Sequence, residues 1–512
     1  MMVWGAFLGV TLASTAKPMA NKNRIQDWRN GPVIYQVFVD RFSASTSVSG
    51  QANIIASPRK LKNWSDLPSS GKFLPENGLW SHELEFWGGD IPGIQSKLDY
   101  VNKLGADVLY LTPIHSAFSN HKYDAHDYLQ VAPEFGTQKD LENLIAKVHL
   151  KNMKIILDGV FNHVGRSSAL FQQAHGNSKS ARRNWFYFDK RYQAGYRAWA
   201  GVGNLPALNL ENRAVQNYLW RSPDSVVRHY LKLGVDGWRL DVAFELGDDA
   251  LLGITKAAHE SKPGSLVVGE INGYPADWFH CVDGVFNFYT MNLAIRMAKG
   301  ELSSNQFGRM LVDLVQDAGL ESLLKSWLVA DNHDTDRLAS QVKDTKQRRI
   351  VQALQFTLPG SPVIYYGSEL GMEGIGDPAN RAPMRWDMTT GSNADRSWIE
   401  KLIRIRKRHL ALRYGDIRVL ATDRIFGFAR ITDKVAESAL VLVNPTDQEQ
   451  TETTSVRMGK IMSWGELKDE VSGTRMRCVN GIIDVKLAPK SVMILTPVVD
   501  RATGYSPYDR IK

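Results

Sequence analysis

Cysteine is scarce: the 512-residue chain has two, Cys281 and Cys478, too few and too far apart for the disulfide framework of a small secreted scaffold. Long apolar runs are missing as well. No segment beyond the N-terminus approaches the roughly 18–20 continuous apolar residues that span a bilayer, so a soluble mature protein with no membrane partner is expected. No cluster of His and Cys has the spacing of a metal site, and there is no internal repeat or low-complexity tract. Charge of one sign is only modestly in excess, 62 Lys+Arg against 54 Asp+Glu, a net +8. Much of that excess lies from Arg396 to Arg413, where Ile399, Leu402, Ile403 and Ile405 interleave with basic residues at helical spacing. This reads as a helix with a solvated basic face, and with no recognition motif beside it a nucleic-acid partner is not expected.

What is present is an ordinary globular composition, 43% hydrophobic and 23% charged, with length for two or three domains. From residue 32 onward short apolar runs alternate with amphipathic segments. The strand candidates are Val33–Val39, Val108–Thr112, Ile155–Val160, Gly237–Asp241, Leu266–Glu270, Val285–Phe288, Trp327–Ala330 and Val363–Tyr366. Helical patterns lie between them, such as Leu141, Leu144, Ile145 and Val148 behind Thr137 as N-cap. Eight such units predict an α/β fold, a (β/α)8 TIM barrel, rather than an open doubly wound sheet.

About seventy residues separate the third strand from the fourth, and this connection is rich in Trp, Tyr, Arg and Gly. Its aromatic content argues for an ordered subdomain overhanging the active-site face. After Arg413 the pattern changes to short β-like runs, Phe426–Ile431, Ala439–Val443 and Val492–Leu495, expected to form a C-terminal antiparallel β-sandwich. The predicted organisation is a leader over 1–20, the first part of the barrel over 21–163, an inserted subdomain over 164–210, the rest of the barrel over 211–414, the sandwich over 415–500 and a tail over 501–512. Within the leader, the apolar run Val3–Ala13 followed by Ser14-Thr15-Ala16 predicts a cleaved signal peptide, a mature chain from about Lys17 and an exported, periplasmic or secreted protein. A true start near Met19 would instead leave the protein cytoplasmic.

In a TIM barrel the catalytic groups come from the C-terminal ends of several strands. The third strand finishes as Asp158-Gly159-Val160-Phe161-Asn162-His163, the fourth as Gly237-Trp238-Arg239-Leu240-Asp241, the fifth as Gly269-Glu270, and the seventh runs into Asp331-Asn332-His333-Asp334. A lone strand-end carboxylate is more often a cap or loop hydrogen-bonder; three of them on separate strand ends, Asp241, Glu270 and Asp334, suit cleavage of a glycosidic bond, in which two carboxyl groups divide the work of nucleophile and general acid. Arg239 shares a strand face with Asp241, because side chains alternate with period two. Its charge is expected to keep Asp241 ionised, and apolar surroundings to raise the pKa of Glu270.

These segments resemble the signature regions of glycoside hydrolase family 13, the α-amylase superfamily. The resemblance runs from about Val33 to Pro497. Trp87-Gly88-Gly89-Asp90-Ile91-Pro92-Gly93-Ile94, Tyr110-Leu111-Thr112-Pro113-Ile114, Ser119-Asn120-His121-Lys122-Tyr123-Asp124 and Val235–Ala243 are similar to the neopullulanase and cyclomaltodextrinase group. The resemblance implies Asp241 as nucleophile, Glu270 as acid/base and Asp334 as the third acid that holds sugar hydroxyls, with His163, Arg239 and His333 around the same subsite and Tyr123 as the platform beneath the sugar. It implies an α-glucan substrate, a cyclodextrin, maltooligosaccharide or pullulan, cut by a retaining mechanism. No cofactor is required, although relatives carry a structural calcium, for which Asn162 and groups of the inserted segment are candidate ligands. The sequence departs from the group at Leu205-Pro206-Ala207-Leu208-Asn209, where Met-Pro-Lys-Leu-Asn is usual, and at Phe244, where Asn is usual. About thirty residues precede the first strand, so the N-terminal sandwich of that group is not expected, and oligomeric state stays open. An α-amylase, an α-glucosidase or a glucan transferase would share the same trio. A non-catalytic scaffold would be expected to have lost a carboxylate that this chain retains.

Overall fold

The computed structural model describes residues 23–45, 54–463, 465–500, 506–508 and 510–511. The apolar run read as an export signal, with the whole of the 1–20 leader, lies outside the described residues, as does part of the 501–512 tail. No helix among the described residues is long and apolar enough to cross a membrane.

Eight parallel strands form the barrel: β1 (Ile34–Val37), β2 (Val108–Leu111), β3 (Lys154–Gly159), β4 (Gly237–Leu240), β5 (Leu266–Gly269), β6 (Gly284–Val285), β7 (Trp327–Leu328) and β8 (Ser361–Tyr365). Each pairs with its neighbour in chain order from β1 to β6, β7 pairs with β8, and β8 pairs with β1. A single parallel bridge from Phe286 to Trp327 joins β6 to β7 and closes the ring. Every strand residue but Lys154 is buried, as expected when helices cover the outside and side chains fill the inside. Ile34, Val108, Tyr110, Ile156, Leu266, Val268, Phe286 and Trp327 form one inner cluster.

The surrounding helices begin where the sequence offers caps. Asp90 accepts from the Gly93 amide at 2.6 Å to open α1 (Ile91–Leu104), which ends on Gly105 at φ 105. Thr137 and Asp140 form a reciprocal capping box at the start of α2 (Gln138–Leu150). The sixth strand is shorter than the run Val285–Phe288 implies, because the Asn287 side chain accepts from the Thr290 amide at 2.9 Å and starts a helix at Phe288. The basic segment also departs from expectation. In α3 (Ala394–Arg408) Arg406 is not solvated but buried, donating to the carbonyls of Gly31, Phe356, Gly360 and Leu412 at 2.6–2.8 Å.

Two excursions stand over the C-terminal ends of the strands. Residues 164–210 hold a helix, Ala169–His175, and an aromatic cluster of Phe171, Phe186, Phe188 and Tyr196. They are tied to the barrel by a bridge from His163 to Ala207. The segment after β1, which periodicity does not reveal, carries a small hairpin pairing Phe73–Leu74 with Leu79–Trp80. Beyond the barrel, a six-stranded antiparallel sheet (Asp416–Val419, Phe426–Ile431, Ala439–Asn444, Ser491–Pro497, Gly465–Asp469 and Arg475–Cys478, in spatial order) and a two-stranded sheet (Gln450–Ser455 with Ile482–Leu487) enclose a separate core that includes Leu442, Leu467, Val485 and Leu495. Both cysteines are free and buried.

Candidate active site

Strand register brings the acidic residues together. Arg239 on β4 pairs with Asp158 on β3 and with Val268 on β5, and Leu240 pairs with Gly269. Asp241 and Glu270 therefore lie level, one residue past the ends of adjacent strands, on the inner face that Arg239 also occupies. The Arg239 guanidinium is fully buried. Its Nη1 donates to Asp158 Oδ1 at 2.8 Å and to Asp241 Oδ1 at 2.9 Å, and its Nη2 lies 2.9 Å from Glu270 Oε1. One cation serves three buried carboxylates.

The backbone beside the pair is strained. Val242 has φ 38, a left-handed conformation that a β-branched residue rarely adopts. In that conformation its amide donates to Glu270 Oε2 at 2.9 Å, which fixes the second carboxyl oxygen.

The sharing of Arg239 changes the expected electrostatics. Burial pushes the Asp241 carboxyl well above the usual carboxylate range; Arg239 opposes this, while Glu270, Asp158 and Asp334 reinforce it. Burial likewise raises Glu270, with Arg239 opposing and Asp334 adding. Arg239 thus does not simply keep Asp241 ionised, as the sequence implied: burial raises both carboxyls, and the one guanidinium that opposes it is shared between them.

Asp334, beyond β7, faces the pair from a more open position, its side chain 44% exposed. Arg381 Nη2 donates to its Oδ1 at 3.3 Å, and His333 Nε2 lies 3.1 Å from its Oδ2. The Tyr123 hydroxyl donates to Asp158 Oδ2 at 2.9 Å, and its ring stacks on His333 at 5.3 Å and 3°. Gln36 Nε2 meets His333 Nδ1 at 3.0 Å from below. Burial lowers the pKa of His333 well below the usual value and that of His163 to about 4, so both are neutral imidazoles at pH 7. His163 Nε2 has no hydrogen-bond partner among the described residues.

All seven residues singled out in the sequence gather here, and six of them (Tyr123, His163, Asp241, Glu270, Asp334 and, beneath them, Arg239) meet at the floor of a cavity of about 910 Å3 or directly under it. His333 backs Tyr123 and Asp334 from the seventh strand end. The walls come from both excursions: Phe73 and Trp80 on one side, Trp199 and Leu205 of the inserted segment on another, and Phe244 and Asn272 beyond β4 and β5. Trp199 leans over His163 at 5.7 Å.

Sequence reasoning did not assign Asp158, which anchors Arg239, Tyr110 and Tyr123. A lone acid at an inward strand position between Ile156 and Val160 was the available signal. Arg381 was missed because nothing local links it to Asp334. Asp248, His280 and Cys281 also bring ligand atoms within 4.8 Å of one another, a grouping hidden by the distance between them in the chain. Around Asn162, the amide Nδ2 lies 3.4 Å from Glu245 Oε2, and residues 164–210 hold one carboxylate, Asp189, among seven arginines and lysines. A hard cation prefers several carboxylate and carbonyl oxygens, and this donor set does not fit one.

The family model for the α-amylase catalytic domain matches residues 36–410. A cyclomaltodextrinase of Geobacillus thermopakistaniensis is 32% identical over 78% of this chain and 66% of its own length. Neopullulanase 2 of Thermoactinomyces vulgaris is 30% identical over 92% of this chain and 78% of its own. The ligand-free structure of a cyclic α-maltosyl-(1→6)-maltose hydrolase from Arthrobacter globiformis superposes with a TM-score of 0.76 at 26% identity, covering 92% of this chain and 99% of that one. A closed parallel barrel with three acids above its strand ends, and these likenesses over nearly its whole length, place the chain in the α-amylase family, glycoside hydrolase family 13, as an α-glucan hydrolase.

Proposed function

We propose that the protein cleaves α-1,4 glucosidic bonds of cyclodextrins, maltooligosaccharides or pullulan with retention of configuration, with α-1,6 cleavage as the alternative that the pullulan products decide. The observation that carries this reading is the bridging of Asp241 and Glu270 by one guanidinium. Two carboxyls held by a single fork favour the short separation of retaining enzymes, about 5–5.5 Å, over the 6.5–9.5 Å that leaves room for a water in inverting ones.

In this mechanism Asp241, as carboxylate, attacks the anomeric carbon, and Glu270, as the general acid, protonates the departing oxygen. The glycosyl ester on Asp241 is then hydrolysed by water that Glu270 deprotonates. Arg239 neutralises charge on whichever carboxylate is ionised at each step. Tyr123 offers its ring to the sugar face, and His163, His333 and Asp334 offer polar atoms to its hydroxyls, with Arg381 fixing the Asp334 carboxylate. No step uses calcium.

The test is product analysis on β-cyclodextrin, maltohexaose, pullulan and soluble starch, with the anomer of the first product followed by NMR. Asp241→Asn and Glu270→Gln are each expected to lower turnover by about three orders of magnitude or more with an unchanged circular dichroism spectrum. Folded variants with full activity, or an inverted first product, would overturn the assignment. For location we propose export through the run Val3–Ala13; N-terminal sequencing from the native cell reads it, and an intact Met1 or a start at Met19 refutes it.

A further inference from the structure

Among the described residues four aromatic side chains are exposed: Phe73, Trp80, Phe244 and Tyr274. Three of the four line the active-site cavity. Single exposed aromatics need no explanation, but convergence on one cleft does. Phe244 stands by the end of β4, near the leaving-group side that Glu270 on β5 would protonate. Phe73 and Trp80 come from the excursion after β1, and in a ring of eight strands β1 is diametrically opposite β5.

The hairpin is built into place. Phe73 and Trp80 are direct partners in its register, with rings edge to face at 5.8 Å. Glu83 accepts from the Trp80 amide and also lies 2.9 Å from His121 Nε2, and the His121 ring stacks on Tyr123 at 5.7 Å. One carboxylate therefore couples the position of Trp80 to the platform under the cleavage subsite. Asn120 Nδ2 holds the same segment by donating to the carbonyls of His82 and Glu85, both at 2.8 Å. On its outer side Arg166 donates to the Glu76 carbonyl at 2.6 Å, clasping the hairpin tip to the inserted subdomain. The indole of Trp80 is 49% exposed although its backbone is fixed on both sides, a preorganised apolar face of the kind that receives the C–H face of a sugar ring.

We propose that this hairpin is a donor-side glucosyl subsite in which Trp80, buttressed by Phe73, stacks on a unit of the α-glucan chain upstream of the scissile bond. The proposal rests on the α-glucan reading above and deepens it: the protein selects chains long enough to reach across the cleavage site from Phe244 to Trp80.

The test compares wild type, Trp80→Ala and Trp80→Phe on maltohexaose and on p-nitrophenyl α-glucoside, whose single glucosyl unit cannot reach the hairpin. For Trp80→Ala, kcat/KM on maltohexaose is expected to fall about tenfold, which is 1.4 kcal/mol, mainly through KM. The nitrophenyl glucoside should change less than twofold, and Trp80→Phe should recover most of the loss. Equal losses on both substrates, or no loss on maltohexaose, would overturn the proposal. Calorimetric binding of maltohexaose to Glu270→Gln, with and without Trp80→Ala, separates the two readings: a wild type that cleaves no α-glucan sinks the functional reading, and unchanged affinity in the double variant sinks the subsite.

Discussion

Replacing Arg239 by Lys keeps the buried charge but removes the fork. The guanidinium contacts Asp158, Asp241 and Glu270 at 2.8–2.9 Å through two nitrogens, and a single ammonium cannot hold all three in those positions. One charge-assisted contact is lost at the least, a loss of about 1.5–3 kcal/mol. If that contact is made to the reacting carboxylates in the transition state, kcat/KM falls by about ten- to a hundredfold at 1.36 kcal/mol per decade. Folding should survive, because no carboxylate is left beside a neutral side chain. The pH profile gives a second reading. The carboxyl deprived of its contact protonates more readily, so the acid limb of kcat/KM, which reports ionisation of Asp241 in the free enzyme, moves to higher pH. Steady-state kinetics on β-cyclodextrin from pH 4 to 9, with a thermal melt as control, measures both. A folded lysine variant with wild-type kcat/KM and an unmoved acid limb would refute the claim that the fork organises this pair.

Glu270→Gln should raise Tm at pH 7 while abolishing activity. The folded-state pKa of Glu270 is raised by burial, so its ionised form is disfavoured on folding and stability is lost as pH rises; the gain in Tm should be present at pH 7 and shrink toward pH 4, where the wild-type carboxyl is largely protonated in both states. Calorimetric melts at the two pH values check this, and a lowered Tm at pH 7 contradicts it. Asp334→Asn removes a negative charge that raises Glu270, so the basic limb of the residual activity should shift to lower pH, read on an aryl glycoside; a shift upward would reverse the assigned sign. Arg406→Leu leaves the buried carbonyls of Gly31, Phe356 and Gly360 without this donor, while Leu412 keeps Arg430 Nη1 at 3.1 Å; at about 1 kcal/mol or more each, against an unfolding entropy of about 1 kcal/mol per kelvin for a chain of 512 residues, Tm should fall by about 3 °C or more. A change under 2 °C would show that those groups find other partners.

The barrel was legible because each strand is a short apolar run and each helix repeats at 3.6 residues. Asp241, Glu270 and Asp334 were legible because the fold puts strand-end polar residues on one face, and Thr137 because its cap is local. The rest depends on contacts remote in sequence. Arg381 reaches Asp334 from the far side of β8, and no pattern in either segment predicts the pair. Arg406 looks like the basic residues around it until the carbonyls it serves, from Gly31 to Leu412, are assembled. The hairpin over 73–80 has strands of two residues, too short for a periodic signal. The ionisation of Asp241 was misjudged for a related reason: the sequence shows one arginine beside one acid, and only the folded ring shows three acids around it.

The closure of the ring also sets where it opens. β6 and β7 have two residues each, and the seam between them has one bridge, Phe286 to Trp327, with the Asn287 amide donating to the Trp327 carbonyl at 2.7 Å and the Val285 amide to Ser326 Oγ at 3.2 Å. Every other pair of adjacent strands has at least two registered partners. Local opening favours the least-bonded contacts, so the amides at this seam are expected to exchange with solvent deuterium ahead of those in β1 to β5. Asp241 and Glu270 sit on the slow-exchanging arc, whereas Asp334 follows β7 at the edge of the fast one. Thermal motion in the barrel is therefore expected to separate the third acid from the other two before it disturbs the pair.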